Sequence, residues 1–574
     1  MNILSDLSHT LSAAFAACGY EPSYGAVTVS NRPDLCHFQC NGALPAAKAH
    51  KKNPLMIAGE VAERLQNDAR FASVETAPPG FINLRLSDGT LASLANGMAA
   101  DERLLLPRME PKTIVFDYGG ANVAKSLHVG HLRPAIIGDA LCRLSRFLGH
   151  TVVSDVHLGD WGLPMGQVIA ELEERGLDAA SITVEDLNEI YPAASARCGT
   201  DAAFAEKAAE RTASLQRGDP EIRAVWKRFR ALSVDHLKRS YENLDVAFDY
   251  WYGESDAEPY VPRVKDMLRE KGLLRESEGA LVVDVALPDD KEPMPPMMVQ
   301  KSNGADVYGT TDLGMLLQRR EDFDPGEVWY MTDIRQSLHF KQVFRCAKLG
   351  GILDMGGGSI QCLHVWNGTM NGADGKPYKT REGGVMRLND LISSVVENAL
   401  RKVEESNLPM TEPERAEAAR MLGMAALRVG DMQNHRTKDY IFDMDRFLAS
   451  EGKTGPYLQY TVVRCRSVLA KARDAGFIAG EILPPPTDAE RDLLLALPLV
   501  SDALLRAFAD KAPSVLCEIL FDIAGRFNRF YFEHKILQCP DGALRASRLA
   551  LLGLTDRLMT LLLDILGVKI PLHM

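Results

Sequence analysis

Along this chain the spacing of apolar positions changes several times, and each change marks an element. Apolar residues recur at helical spacing from Ser5 to Cys18 (Leu7, Leu11, Phe15), and Val27-Thr-Val29 reads as a short strand. Gly42 to Gln66 is helical in pattern, with Ile57, Val61 and Leu65 on one face and an interruption at Asn53-Pro54. After the turn Pro78-Pro79-Gly80, Phe81 to Leu86 alternates as a half-buried strand does. Two uninterrupted apolar runs, Thr113 to Phe116 and Thr151 to Ser154, predict buried strands. Between them Leu132, Ile136, Leu141, Leu144 and Leu148 line one side of a helix. Residues 171–244 are largely helical in pattern (Leu172, Leu177, Leu187, then Phe204 to Tyr241), with Pro220 as a break or a helix start. Asp249 to Ser255 resumes the sheet. From Leu388 the pattern is helical to the end, with Pro484-Pro485-Pro486 as a plain linker.

Strands alternating with helices from Lys112 onward predict an α/β, doubly wound, Rossmann-like domain, which binds ligands where its strand order reverses. The expected organisation is a small N-terminal α/β domain over 1–108, the Rossmann-like domain over 109–387 with a helical insertion at about 171–245, and an all-α domain over 388–574. A length of 574 residues agrees with several cores. The net charge of -12 argues against a surface that coats nucleic acid wholesale, but leaves room for a local basic face. The ten cysteines include no CxxC pair. Cys36-His37 and Cys40 form the one tight cluster, and it lacks a second ligand pair, so no protein-bound metal is expected. Unpaired thiols, no apolar run near membrane-span length and no basic secretory start predict a cytoplasmic protein without membrane contact.

The most informative stretch is DYGGANVAKSLHVGH, Asp117 to His131. A buried strand, a tight turn at Gly119-Gly120 and a helix start present backbone N–H groups and a positive helix end to phosphate. His128 and His131, three apart, share a face of that first turn and can donate hydrogen bonds to an anion whose charge grows during reaction. Gly130 between them removes the side chain that would keep a flat base from the backbone. From these residues alone, two helix-start histidines around a structural glycine remain an equal alternative.

The wider sequence separates the two. NVAKSLHVGHLRPAIIGDAL resembles, nearly position for position, the HIGH segment of class I arginyl-tRNA synthetases. His157, Gly159, Asp160 and Trp161 match the family's HVGDWG segment, and DYWYGES is similar to the segment whose glutamate, here Glu254, binds the amino-acid end of the substrate. QKSNGADVYGTTDLG resembles the stretch that reads the side chain, and Gln336 in DIRQSLHF the glutamine closing that pocket. HFQCNGALPAAKAHKKNP and PPGFINLRL are similar to the N-terminal extra domain that touches the tRNA elbow; EGKTGPYLQYTVVRCRSVL and LFDIAGRFNRFYFEHKIL are similar to the C-terminal anticodon-binding domain. Departures are Ala121 in place of proline, Pro134 in place of a small polar residue, Pro164 in place of glutamine and Asn303 in place of aspartate. In the loop DGKPYKTREGG, Pro377 falls where the first loop lysine would be.

The resemblance implies an arginine–tRNA ligase that uses ATP as its magnesium complex, forms arginyl-adenylate only after tRNA has bound, and passes the arginyl group to tRNA(Arg); a monomer is expected. His128 and His131 would stabilise the α-phosphate transition state, with Lys125 and Lys379 on the β- and γ-phosphates and Gly130, Lys376 and Arg381 completing the ATP site. Asn122, Glu254, Tyr308, Asp312 and Gln336 would bind arginine. Physical chemistry supports that pocket: a guanidinium is a flat fork of five donors needing a carboxylate and further acceptors in plane, and Tyr308 and Asp312 four apart can converge on it. Lysine would leave acceptors unpaired, a penalty that in such sites reaches about 10⁴–10⁵. For tRNA the implied contacts are Asn83, Tyr457, Tyr460 and Arg464, with Gln459, Arg526 and Arg529 in the same aromatic and cationic mixture. Lys48, Lys51 and Lys52 are candidates for phosphate. Two other readings stand beside this one: an amino-acid-activating relative that does not charge tRNA, and a non-catalytic RNA-binding protein that keeps the fold.

Overall fold

Strand β1 (Thr113–Asp117) is followed by helix α1 (Leu132–Leu148) and strand β2 (Thr151–Asp155). After a long insertion come helix α2 (Tyr308–Phe323), strand β3 (Glu327–Tyr330), helix α3 (Ser337–Gly350) and strand β4 (Gln361–His364). The four strands form one parallel sheet in the order β4-β3-β1-β2. Ile114, Val115 and Phe116 have no exposed surface, as the unbroken apolar run of a doubly covered strand requires. The chain leaves β1 for β2 on one side and returns to β3 on the other. The strand order therefore reverses at β1, and a crevice opens beyond the strands' C-terminal ends. Asp117 and Asp155 close those ends as buried acids, and Arg319 from α2 pairs with both, its Nη2 at 2.7 and 2.8 Å. Beside β2, the segment from Tyr250 to Gly253 continues the sheet through the parallel bridges Asp155↔Tyr250 and Leu158↔Gly253.

This computed structural model describes residues 2–354, 358–372, 374–376, 386–406 and 408–574. They fall into two compact units, one formed by Met109–Ala399 and Asn434–Asp445, the other by Met1–Arg108, Leu400–Gln433 and Arg446–Met574. In the first unit the insertion is helical as expected: Leu163–Arg175, Val184–Cys198, Ala202–Arg217 and Pro220–Asn243. Pro220 starts a helix, capped by Asp219, and does not break one. Leu172 and Leu187 join Trp226 and Phe229 in its core, whereas Leu177, one residue past the left-handed cap Gly176, is exposed. The sequence reading missed a three-stranded antiparallel sheet (Leu274–Ser277, Ala280–Val283, Met297–Gln300). Its first hairpin turns through Glu278 and Gly279, both at positive φ, a short signal lost among charged neighbours. Tyr440–Ile441 pairs in parallel with Met370–Asn371, so the chain after Leu388 is not helical throughout.

The second unit joins the N-terminal residues to the C-terminal helices. Helix Ile3–Ala17 backs a four-stranded antiparallel sheet ordered Val27–Val29, Phe38–Cys40, Phe81–Leu86, Phe71–Ala77. Ile82, Leu84 and Leu86 are buried and Phe81, Asn83 and Arg85 are half-buried on the other face, as the alternation predicts. The guanidinium of Arg491 meets both carboxylate oxygens of Asp88 at 2.7 and 2.9 Å, and Asn96 bonds the carbonyl of Ile482, tying the two ends of the sequence together.

Candidate active site

Beyond β1 the chain turns through Gly119 and Gly120 at φ of +100° and +62°, and a side chain at Gly119 would come within 2.7 Å of the Tyr241 hydroxyl. The loop is pinned along its length. Gly159 N–H donates to the Ala121 carbonyl at 2.9 Å, Val123 N–H to that of Gly159 at 3.0 Å, and Ser126 Oγ to Asn188 Oδ1 at 2.7 Å. Ala121 is fully buried beneath these contacts. A short turn, Val129–His131, then runs into α1, where Pro134 sits in a first turn whose N–H groups need no helical partner.

The two histidines cap that turn reciprocally. Gly130 N–H donates to His128 Nδ1 and His128 N–H to His131 Nδ1, both at 3.1 Å, and the rings lie 4.0 Å apart. His128 Nδ1, as acceptor, leaves its ring proton on Nε2; His131 Nδ1 also lies 3.2 Å from the His128 carbonyl, so it faces both a donor and an acceptor. Burial, and then the Lys125 charge, holds His128 below the usual imidazole range; burial and the neighbouring His128 push His131 down to about 3. At neutral pH both rings are uncharged, each with one N–H to donate. A side chain on Gly130 would lie 2.8 Å from His128 Cε1, so this glycine makes room for the imidazole before it makes room for any ligand.

Of the four expected cations, two lie among the described residues. Lys125 is exposed, its Nζ 5.9 Å from the centre of the Tyr191 ring. Lys376 is exposed in a turn whose N–H groups bond Asp374 Oδ1 and its own carbonyl. Lys379 and Arg381 lie outside the described residues. Arg335 was not foreseen: its guanidinium is 83% exposed, gripped by Asp333 at 2.8 and 2.9 Å, and near enough to help depress His128.

Beside the turn an open cleft of about 860 Å³ is lined by Asn122, Trp161, Glu254, Lys301, Asp306 and Tyr308, among others. Three of the five expected arginine contacts therefore share one wall. Glu254 opens a short helix, and burial together with the Asp160 and Asp312 charges pushes its carboxyl up to about 8. Asp160 has no exposed surface and is fully engaged: it accepts from Ser255 N and Oγ at 2.9 and 2.7 Å and pairs with Arg230. It positions Glu254 and does not face a ligand. Gly253 is required there, since a Cβ would fall 2.4 Å from Asp160 Oδ2. Asp312, on α2 one turn after Tyr308, is buried behind the cleft. Its Oδ2 lies 2.5 Å from His339 Nε2, and its Oδ1 3.8 Å from Nε2 of the buried His157. Gln336 is exposed in the turn Ile334–Gln336, outside that lining. Asn303 Oδ1 accepts from Ala305 N–H at 3.1 Å, a turn contact that an aspartate oxygen would make equally well.

In the other unit the helix Gly455–Asp474 brings the expected RNA contacts together. Arg464 lies over Tyr460 at 4.5 Å and over Tyr531 at 5.1 Å, and donates to Asn528 Oδ1; Asn528 in turn donates to the Tyr457 hydroxyl. Tyr460, Arg464, Arg466, Lys471, Arg473 and Tyr531 line a groove of about 800 Å³. Gln459 is a correction: fully buried, its amide donates to the carbonyls of Met421 and Lys569. Arg526 and Arg529 are engaged with Asp522, Asp492 and Glu533. In the N-terminal sheet Asn83 points to the polar face, its Oδ1 accepting from Gln39 at 2.9 Å. His37 Nδ1 accepts from the Leu86 N–H, and burial lowers its imidazole to about 4. Among the described residues no group of three or more His, Cys, Asp or Glu is placed to hold a metal.

Paired imidazoles at a strand-order reversal, beside a cleft walled by Tyr308 and Glu254, stand on a parallel sheet of the kind found in the class I aminoacyl-tRNA synthetases. Residues 94–444 match the family model for the catalytic domain of class I tRNA synthetases (R), residues 1–86 that for the arginyl tRNA synthetase N-terminal domain, and residues 458–574 the DALR anticodon binding domain. The chain belongs to the arginyl-tRNA synthetase family. It is 43% identical to an arginine–tRNA ligase of Agathobacter rectalis over 99% of both chains, and 44% identical to one of Hyphomonas neptunium over 100% of both. The crystal structures of arginyl-tRNA synthetase from Plasmodium falciparum (TM-score 0.82, 24% identity, 100% of this chain and 99% of that one) and Thermus thermophilus (0.81, 23%, 100% of each) share the fold.

Proposed function

We infer that this chain is an arginine–tRNA ligase, and that the cleft behind Tyr308 selects arginine. The observation that carries the reading is the placement of Glu254 on the cleft wall with Asp312 buried behind it, and among the described residues no lysine or arginine forms an ion pair with either. Two acids so placed, one buried and one half-buried, gain most from a cationic ligand. Asp312 takes the guanidinium as a two-point fork, Tyr308 walls it, Glu254 and Asn122 hold the amino-acid end, and Gln336 closes the pocket when the substrate is in place.

The arginine carboxylate attacks the α-phosphorus of ATP, the bond to the bridging oxygen breaks, and pyrophosphate leaves with magnesium that arrived on the nucleotide. His128 and His131 offer their ring N–H groups to the non-bridging α-oxygens as negative charge builds there. Gly130 admits the adenine end, and Lys125, Lys376, Lys379 and Arg381 supply positive charge at the β- and γ-phosphates. A terminal ribose hydroxyl of tRNA then attacks the adenylate carbonyl and AMP departs. Holding the reactants in line supplies most of the acceleration. Asn83 on the N-terminal sheet contacts the tRNA elbow; Tyr457, Tyr460 and Arg464 meet unpaired anticodon bases, on domains spanning 1–108 and 388–574 around the catalytic 109–387 with its insertion at about 171–245. The enzyme acts as a cytoplasmic monomer and needs bound tRNA before it forms the adenylate.

Charging of tRNA(Arg) with labelled arginine tests the reading. Acid-precipitable arginine that depends on ATP, magnesium and tRNA(Arg) supports it. Adenylate formation without transfer points to the free-standing activator, and tRNA binding with no chemistry to the RNA-binding protein.

A further inference from the structure

Asp312 and Tyr308 both stand on α2, yet one side chain from a different helix touches both. His339, two residues into α3, places Nε2 2.5 Å from Asp312 Oδ2, and its ring centre lies 5.1 Å from that of Tyr308 at an interplanar angle of 38°. Neither a side chain on α2 nor one in the segment around Glu254 makes a comparable hydrogen bond to Asp312 among the described residues. A two-point fork demands that the carboxylate plane be fixed before the guanidinium arrives, because each side-chain torsion left free costs affinity. A carboxylate has about four lone-pair sites, so an imidazole can remain on one oxygen while a guanidinium takes the in-plane pair.

We propose that His339 is a positioning residue for the arginine site, fixing the Asp312 carboxylate and backing the Tyr308 ring so that both meet a guanidinium in one orientation. It does not touch the reacting atoms. Its loss therefore weakens arginine selection and leaves the phosphoryl chemistry alone. The proposal rests on the arginine reading given above.

The test is arginine-dependent ATP–pyrophosphate exchange with tRNA(Arg) present, using wild type, His339→Leu and His339→Gln. Glutamine keeps an N–H donor at similar reach; leucine keeps bulk and removes the donor. The expected result for His339→Leu is a KM for arginine raised roughly 10- to 100-fold, the range for a lost hydrogen bond to a charged group, with kcat and the KM for ATP within about threefold. His339→Gln should restore the KM for arginine to within about threefold of wild type by the same reasoning. An unchanged or lower KM for arginine in His339→Leu would mean that the histidine is idle or merely occludes the site, and overturns the proposal. So would a parallel rise in the KM for ATP, which marks general disruption, or a failure of His339→Gln to recover. If wild type itself shows no arginine-dependent exchange, the proposed function falls and takes this inference with it; an active wild type with an indifferent His339→Leu overturns this inference alone.

Discussion

The arginine cleft and the Tyr460 groove draw on the same few residue types to opposite ends. In the cleft Tyr308 stands beside Glu254, with Asp312 buried behind them, and the charge that the proposed function brings is positive. In the groove Tyr460 and Tyr531 stand beside Arg464, Arg466, Lys471 and Arg473, and the missing charge is negative. Burial separates them further. The tyrosines do not separate them, since Tyr308 is 47% and Tyr460 37% exposed; the charged groups do, because Asp312 is 4% exposed and its partner must satisfy it fully, whereas the groove offers its cations to solvent. A buried acid behind an open cleft suits strict selection of a small cation. A wet, cation-lined groove gives graded affinity for a polyanion.

The largest effect should come from Asp312→Ala. Truncating one partner of a buried, hydrogen-bonded charge pair costs about 2–5 kcal/mol, hence a loss of roughly 30- to 4,000-fold in kcat/KM for arginine with the Kd for tRNA unchanged. A comparable rise in the tRNA Kd would erase the distinction between the two regions. Next is Gly130→Ala. Its Cβ would press on His128 from 2.8 Å, and displacing a group that acts at the transition state by about 1 Å costs on the order of 10²-fold in kcat with little change in the KM for arginine.

The two sites also differed in how far the sequence exposed them. The turn at Gly119-Gly120, the paired histidines and the i, i+4 relation of Tyr308 and Asp312 are local in the chain, and spacing alone places them on common faces. His339, His157 and the Asp160–Ser255 contact depend on segments far apart in sequence meeting at the ends of the sheet, which periodicity does not register. Gln459 misled for a related reason. Its neighbours Tyr457 and Tyr460 suggest an exposed polar face, but one residue along a helix turns the side chain by about 100°, here into a core where two carbonyls needed a donor. The small sheet at Leu274–Gln300 escaped because its strands are four residues each and one exposes Arg275 and Glu276 in succession, on opposite faces, which breaks the apolar alternation.

Smaller effects sharpen the contrast. Arg464→Ala should raise the Kd for tRNA(Arg) by roughly 5- to 100-fold, the range for one stacking or cation–π support, and should reduce the salt slope of binding by about one. Arginine affinity should not move. Finally, Glu254, its carboxyl pushed up to about 8 by burial and the Asp160 and Asp312 charges, is mostly protonated at pH 7 and must ionise to meet a cation. Arginine binding then releases a proton. Affinity climbs by up to about tenfold per pH unit below 8 and levels off above it. Calorimetry in buffers of different ionisation enthalpy reads that proton, and Glu254→Gln should abolish its release.

The most direct test of the cation-selecting cleft is ATP–pyrophosphate exchange with tRNA(Arg) present, comparing arginine, lysine and the neutral isostere citrulline. Exchange with arginine alone is the predicted result, since lysine lacks the planar fork and citrulline lacks the charge. Exchange with lysine or citrulline at rates near that of arginine would contradict the role given to Asp312, Tyr308 and Glu254.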